Sequence, residues 1–359
     1  MNDEQMRENL LGDDQTRRRI SGVQICRVLL AFSVVVGVVP ASAQVKGTEG
    51  TAGKLTPASI LLSWVPTTAN QMPFFLAKAR GYYAAEGLDV TLVPGRGSAL
   101  TTQTVGAGQY DIAQADLSTM AMARAKGASL KAFMVQFPRT SSGIIAAKDA
   151  GIQTWSDLYG KTVGVTHGGA ETYLLPATFK KLGLDLSKVQ LVNTPAANKN
   201  TSYLSKLVMA ISTDAAGAIP FLAPARPANP LWYGEVLDVP YQGLFAREDL
   251  IRAKPNVIRG VAAATVKAMS ALVSDPKAVE EAAMVLAQVN PPGSLNPANL
   301  VAAWKLYDRF QSSPLTKGQP MGWMSRAGWQ QTLELLREYA GFQGSMNPDD
   351  YFTNDFIPK

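Results

Sequence analysis

The sequence predicts an α/β fold of two lobes, each built on a doubly wound, mostly parallel sheet, with extra helices at the carboxyl end. Within residues 60–115, three apolar runs of strand length alternate with two stretches of helical spacing. The same alternation returns within residues 142–219, and residues 255–339 carry apolar side chains at helical spacing. Strands that alternate with helices form parallel sheets, and 359 residues suggest two cores rather than one.

Glycine and helix-capping residues divide the first unit into its elements. Gly95 and Gly97 form a corner, and Ser98 is placed to act as the N-cap of the helix that follows. The corner is not a dinucleotide fingerprint, because Leu100 stands where the third small residue is needed. The predicted elements are strand 60–65, helix 73–86, strand 88–93, the helix after the corner, strand 110–115, helix 117–126 and strand 130–137.

The second unit repeats this pattern and is followed by a helical region. Its predicted elements are strand 142–148, a short helix near residue 154, strand 162–165, helix 173–182, strand 190–192, helix 202–211, strand 215–219 and a loop over 220–230. The final helices are predicted at 255–274, 276–289, 297–310 and 326–339. We therefore expect residues 54–140 and 243–359 to form a discontinuous first lobe and residues 141–242 an inserted second lobe. The hinge then lies at 138–142 and 241–243.

Residues 1–43 are predicted to be a signal peptide. Three arginines at 17–19 precede an apolar run over 28–39, and Ala-Ser-Ala at 41–43 supplies small residues for cleavage. The arginines also resemble a twin-arginine signal. Cys26, the only cysteine, lies inside this segment, so the mature chain has no thiol for a disulfide, a metal site or a nucleophile. The formal charge of +6 is spread along the chain and does not indicate nucleic-acid binding.

Several motifs resemble those of one family of transport receptors. The order W-x-P at Trp64, then PFFLAKARGYYAAEGLDV, the Gly-Ser corner and GAGQYDIAQAD is similar to the solute receptors of ABC importers. The resemblance is to the branch that binds sulfonates, nitrate and the thiamine pyrimidine precursor. It implies a two-lobed periplasmic-binding-protein fold (type II) and a partnership with an inner-membrane ABC permease and cytoplasmic ATPases. We expect an exported monomer that binds a small molecule without a cofactor.

Candidate ligand contacts in the first lobe follow its strands, because ligands of open sheets bind beyond the carboxyl ends of the strands. Trp64 can stack on a ring, and Asn70 and Gln71 can supply amide hydrogen bonds. Ser98 either caps its own helix or helps to bind an anion. Asp116 can accept from a ligand amino or hydroxyl group, although an N-cap role for the next helix is favoured.

The second lobe offers a further group of candidates at its strand ends. They are His167, Gly168, Gly169, Glu171, Thr172, Tyr173 and Phe221. A metal site is disfavoured because the single histidine has no thiolate partner. Each candidate also has a structural alternative: the histidine as an ordinary loop residue and the phenylalanine as a packing residue.

Two ligand classes remain open at this point. A sulfonate-type anion would use the helix N-termini and an arginine such as Arg139, whereas an aromatic heterocycle would use the aromatic side chains and a carboxylate acceptor. The aromatic residues favour the heterocycle. The resemblance also covers two enzymes on the same fold, a self-consuming pyrimidine synthase with a Cys-rich iron motif and a desulfinase with a nucleophilic cysteine. The cysteine-free mature chain argues against both, while a sensor for a membrane kinase remains a third alternative.

Overall fold

The computed structural model describes residues 54–167 and 169–359, and these contain two five-stranded sheets. The predicted signal peptide and Gly168 lie outside the described residues. The strands are β1 Thr56–Leu61, β2 Leu88–Val93, β3 Ile112–Asp116, β4 Leu130–Val135, β5 Gly143–Ala147, β6 Thr162–Val165, β7 Gln190–Asn193, β8 Ala210–Thr213, β9 Ala228–Trp232 and β10 Gln242–Arg247. This mixed α/β architecture confirms the predicted fold class.

The two sheets have matching strand arrangements. The first has the order β2-β1-β3-β10-β4, and the second has the order β7-β6-β8-β5-β9. In each sheet the first three strands pair in parallel, and the fourth strand runs antiparallel to both of its neighbours. In each sheet the antiparallel strand, β10 or β5, is the first strand after the chain arrives from the other sheet.

The chain crosses between the sheets twice, over residues 136–142 and residues 233–241. The two crossings are hydrogen-bonded to each other near their ends at the first sheet. The amide of Gln136 donates to the carbonyl of Gln242 at 2.7 Å, and the amide of Tyr241 donates to the carbonyl of Phe137 at 3.0 Å. The two crossings therefore lie side by side.

Twelve α-helices of the described region pack on the sheets. They are α1 Met72–Ala79, α2 Tyr82–Ala85, α3 Ser98–Gly106, α4 Leu117–Ala125, α5 Glu171–Lys181, α6 Lys199–Leu204, α7 Ala215–Leu222, α8 Glu248–Ala253, α9 Pro255–Ser274, α10 Pro276–Gln288, α11 Pro297–Tyr307 and α12 Arg326–Tyr339. Helix α9 is long and apolar enough to span a membrane by length and composition alone, yet half of its residues are buried against α1, α2 and the first sheet. Helices α11 and α12 pack against α7 and α5, which belong to the segment that forms the second sheet.

The structure corrects the sequence prediction between residues 199 and 232. The predicted helix 202–211 ends at Leu204 and is followed by β8, and the predicted strand 215–219 is the start of α7. Residues 220–230, predicted as a loop, hold the end of α7 and the start of β9. The run AAGAIPFL is apolar enough for a buried strand, but its small residues favour a helix.

Two corrections concern glycines of the first unit. The predicted helix 73–86 is interrupted between α1 and α2 at Gly81, whose φ of 66° lies in the left-handed region. At the corner, Gly97 occupies the N-cap position of α3 with a φ of 115°. Ser98 is the first helical residue and does not cap the helix as predicted, since its hydroxyl instead accepts from the amide of Asp116 at 3.2 Å.

Candidate functional site

The loops that follow β1 and β2 are packed tightly together at the carboxyl edge of the first sheet. The amide of Gly97 donates to the carbonyl of Ser63 at 2.7 Å, and the amide of Gly95 donates to the carbonyl of Trp64 at 3.2 Å. A Cβ atom on Gly95 would lie 1.7 Å from the carbonyl oxygen of Leu62, so only glycine fits there. The indole of Trp64 is 40% exposed beside this corner, where it presents an aromatic face.

Asn70 and Gln71, predicted to supply amide hydrogen bonds to a ligand, are buried in the loop after β1. The Gln71 side-chain amide donates to the carbonyl of Trp64 at 2.9 Å. Its buried Oε1 has no hydrogen-bond partner among the described residues. The Asn70 amide donates to Oε1 of Gln242 at 2.7 Å, so its donor is already engaged within the protein.

Asp116 ends β3 and lies 5% exposed at the same edge of the sheet. Its Oδ1 accepts from the amide of Thr119 at 2.9 Å and from the hydroxyl of Ser118, which confirms the predicted N-cap role. Its Oδ2 is buried and has no partner in the described part of the chain. Burial raises the pKa of the Asp116 carboxyl above its usual value. One oxygen thus holds the helix, and the other remains available as an acceptor.

Tyr173 brings α5 to the carboxylate of Asp116. The phenol is 4% exposed and interacts with the Ser118 hydroxyl. Burial and the nearby Asp116 carboxylate together raise the pKa of the Tyr173 phenol well above its usual value. Ser98, Asp116 and Tyr173, all predicted as site residues, therefore lie close together, although they come from three different elements.

A second buried carboxylate, Asp214, occupies the matching position in the second sheet, directly after β8. Its Oδ1 accepts from the hydroxyl of Ser141 at 3.0 Å, and its Oδ2 accepts from the hydroxyl of Tyr307. Burial raises the pKa of the Asp214 carboxyl to about 6. Burial, together with the nearby carboxylates of Asp214 and Asp116, raises the pKa of the Tyr241 phenol well above its usual value. Asp214 was missed because its segment was predicted to be a strand.

The remaining candidates of the second unit have different surroundings. Glu171 accepts from the ammonium group of Lys199 and from the amide of Thr166 at 2.7 Å, so its charge is paired within the protein. The carboxylate lies over Gly169, where a Cβ atom would be 2.5 Å from its Oε2. His167 is exposed, and its backbone amide donates to Asn193.

Thr172 is exposed on α5, and Phe221 is partly buried within α7 rather than in the predicted loop. Trp232 ends β9 and packs against Phe310 with a ring-centroid distance of 5.2 Å and an interplanar angle of 53°. The arrangement gives Trp232 a packing role.

Sequence reasoning missed three buried glutamines, Gln114, Gln136 and Gln242. They meet Asn70 beneath the loop after β1. Gln114 was detectable in principle, because it is the one amide within the apolar run of β3. Nothing local marks Gln136 or Gln242.

Arg139 and Arg96, the arginines near the first sheet that could pair with an anion, have different surroundings. Arg139 donates to the carbonyls of Ser312 at 2.8 Å and Arg309 at 2.6 Å, so its guanidinium is engaged by backbone oxygens. Arg96 is exposed on the corner. Within the ranges 54–167 and 169–359, no group of three or more histidine, cysteine or acidic residues is arranged to hold a metal ion.

A family model described as NMT1/THI5 like matches residues 68–279, which is more than half of the chain. The chain belongs to the NMT1/THI5-like family. The matched segment includes Asp116, Tyr173 and Asp214, whereas Trp64 and Tyr307 lie outside it. Trp64 and Tyr307 therefore come from parts of the chain that the family model does not match.

The proteins that this NMT1/THI5-like chain is similar to include binding proteins for different ligands and an enzyme. The riboflavin-binding protein RibY of Chloroflexus aurantiacus is 22% identical over 94% of this chain and 96% of its own. The 4-amino-5-hydroxymethyl-2-methylpyrimidine phosphate synthase of Schizosaccharomyces pombe is 32% identical over 107 residues, which are 30% of each chain. The periplasmic aliphatic sulphonate binding protein SsuA of Escherichia coli has the same fold, with a TM-score of 0.66 at 17% identity over 84% of this chain and 99% of its own. The fold is therefore that of periplasmic solute-binding receptors.

Proposed function

We propose that this protein is an exported receptor of an ABC importer that captures a small nitrogen heterocycle between two lobes. The carboxyl edge of the first sheet supplies one side of the site, and α5 with the end of β8 supplies the other. The proposed lobes are residues 54–140 with 243–359 and residues 141–242. The two side-by-side crossings act as the hinge, and ligand contacts from both lobes favour the closed form.

The observation that carries the proposal is the unpartnered Oδ2 of Asp116. A buried acceptor without a donor costs free energy, and a ligand N–H that reaches it removes that cost. The unpartnered Oε1 of Gln71 is a second buried acceptor of the same kind. Trp64 offers an aromatic face for ring stacking. A ring with exocyclic amino or ring N–H donors satisfies these groups together.

An anion fits this edge less well. The hydroxyl of Ser98 accepts from the backbone amide of Asp116, and the buried carboxylate of the same residue repels a sulfonate. Of the two arginines described above, Arg139 is held by backbone carbonyls and Arg96 extends from the exposed corner. The polar groups therefore favour a neutral or cationic donor-rich ring over a sulfonate or nitrate.

The fold and the predicted signal peptide together support a periplasmic location. Receptors with this fold that are similar in structure include the periplasmic SsuA of Escherichia coli. The predicted signal peptide, with cleavage after Ala43, agrees with the same location. We propose a monomeric periplasmic protein that delivers its ligand to an inner-membrane permease driven by cytoplasmic ATPases.

Mass spectrometry of the compound that copurifies with the protein tests the ligand class directly. A thermal-shift panel of sulfonates, pyrimidines, flavins and aromatic acids follows, because a ligand that binds the native state raises the melting temperature. Asp116→Asn keeps one side-chain oxygen to cap α4 and puts an NH2 group in place of the unpartnered Oδ2. Because that group donates and cannot accept from a ligand N–H, we expect the affinity for the heterocycle to fall about tenfold or more. Asp89→Asn, at an exposed carboxylate of β2, is the matched control. Selective stabilisation by sulfonates, with no effect of Asp116→Asn, overturns the ligand class.

A synthase is the second candidate, favoured by the similarity to the Schizosaccharomyces pombe enzyme over 107 residues. The only cysteine of the sequence, Cys26, lies in the predicted signal peptide, so no thiol is left for a Cys-rich motif in the mature chain. Incubation of the protein with the bound heterocycle and analysis by mass spectrometry separates the two functions. Recovery of an unchanged ligand supports a receptor, and a chemically altered product supports an enzyme.

A further inference from the structure

Buried amide side chains form a connected group beneath the loop of residues 62–71. The group, called the amide network below, consists of Asn70, Gln114, Gln136 and Gln242. Each of these side chains is at most 6% exposed. Buried amides are retained in a stable core only where their donors and acceptors are paired, and here three hydrogen bonds join the four side chains to one another.

Two members of the amide network stand at the chain crossings. Gln136 directly follows β4, and Gln242 is the first residue of β10. The Oε1 atom of Gln242 accepts from Nδ2 of Asn70 at 2.7 Å and from Nε2 of Gln114 at 3.0 Å. The Oε1 atom of Gln136 accepts from Nε2 of Gln114 at 3.1 Å. Gln136 and Gln242, one beside each crossing, therefore both accept from the side-chain amide of Gln114.

The other contacts of the amide network hold the loop that carries Trp64 and Gln71. Nε2 of Gln136 donates to the carbonyl of Asn70. Oε1 of Gln114 accepts from both the amide and the hydroxyl of Ser63 at 3.1 Å. The loop is thus fixed near its beginning and near its end, on either side of the exposed indole.

We propose that the amide network is a positioning device that couples the two crossings to the ligand-binding loop. Gln242 is its central positioning residue, because its one oxygen joins the second crossing to Asn70 and Gln114. Rotation at the crossings displaces Gln136 and Gln242 and moves the loop with them. The ligand contacts of Trp64 and Gln71 therefore depend on residues that do not touch the ligand. This inference rests on the proposed function for its consequence in binding, but not for the coupling itself.

Hydrogen–deuterium exchange of the full-length protein without added ligand tests the coupling. Gln242→Met keeps the length of the side chain and removes the acceptor of both amides. We expect exchange over residues 62–71 to rise by about tenfold, which corresponds to the loss of one to two ordinary hydrogen bonds. Thr332→Val is the matched control, since it removes a buried hydroxyl that donates to the carbonyl of Gly328 at 3.0 Å outside the network.

Two outcomes decide the question. A rise confined to residues 62–71 and the crossings in Gln242→Met, absent in Thr332→Val, supports the coupling. A rise spread over the whole chain, or an unchanged loop, overturns it. Riboflavin, detected by quenching of its fluorescence, serves as the binding probe, and we expect faster dissociation with unchanged association in Gln242→Met. If the wild-type protein does not bind riboflavin, that result counts against a flavin-like ligand for the proposed function, and the exchange result still decides the coupling.

Discussion

Replacement of Asp214 by asparagine removes a titration that destabilises the native protein near neutral pH. The carboxyl has a pKa of about 6 in the native state, against 3.8 as its ordinary value, because it is buried among Ser141, Tyr307 and the crossing segments. A difference of about two pKa units corresponds to a change on the order of 3 kcal/mol in the free energy of unfolding.

The sign follows from the direction of the shift. Below pH 4 the carboxyl is protonated in both states, and its contribution to stability is fully present. Between pH 4 and pH 6 it ionises in the unfolded chain first, so the unfolded state is stabilised and the free energy of unfolding of the native protein falls. The loss is complete above the native pKa. Asp214→Asn does not titrate, so its stability relative to wild type rises over this window.

Urea unfolding followed by tryptophan fluorescence at pH 4 to 7.5 measures the effect. We expect the difference in unfolding free energy between Asp214→Asn and wild type to increase with pH by on the order of 3 kcal/mol. Asp157→Asn is the control, because the amides of Gln153 and Thr154 lower the pKa of this partly exposed carboxyl, so its titration lies mostly below pH 4 and its difference from wild type stays nearly constant over this range. Parallel stability curves for wild type and Asp214→Asn between pH 4 and pH 7 refute the reasoning.

Three further predictions concern one close backbone contact and two ion pairs. Gly95→Ala places a Cβ atom against the carbonyl oxygen of Leu62 and displaces the corner, so we expect the free energy of unfolding to fall by about 1–3 kcal/mol. Calorimetry should show weaker ligand binding by the same variant. Lys199→Met leaves the buried Glu171 carboxylate without its cation, so thermal denaturation should show a loss of about 3–5 kcal/mol, and Lys199→Met combined with Glu171→Gln should recover part of it. Arg80→Ala removes a partly exposed ion pair with Glu281, so urea unfolding should show a change of at most about 1 kcal/mol.

Regular elements with clear boundaries were predictable from the sequence. Strand β6 and helix α12 have the predicted bounds, because β6 is a short buried run and α12 has an amphipathic stripe after the N-cap Ser325. Helix α7 was predicted as a strand, because its small apolar residues carry no clear period and Pro220 lies within it. Local pattern does not separate a short buried helix from a strand in such a run.

The site was predictable only where a residue follows a strand. Ser98, Asp116 and Tyr173 were found by this rule and lie close together. The amide network was not predictable, because Gln242 meets Asn70 across 172 positions of sequence. Pairings of that separation depend on topology, and no local signal in a single sequence reports them.

Two chain segments that are hydrogen-bonded to each other restrict the motion of the bodies they join more than a single segment does. A single tether allows the bodies that it joins to bend and to twist freely, whereas paired tethers resist twisting because each blocks the sideways travel of the other. The bonds between Gln136 and Gln242 and between Phe137 and Tyr241 hold these tethers in register. In the proposed closure of the two lobes, these bonds favour rotation about one axis over twisting, so the same surfaces would meet at each closure.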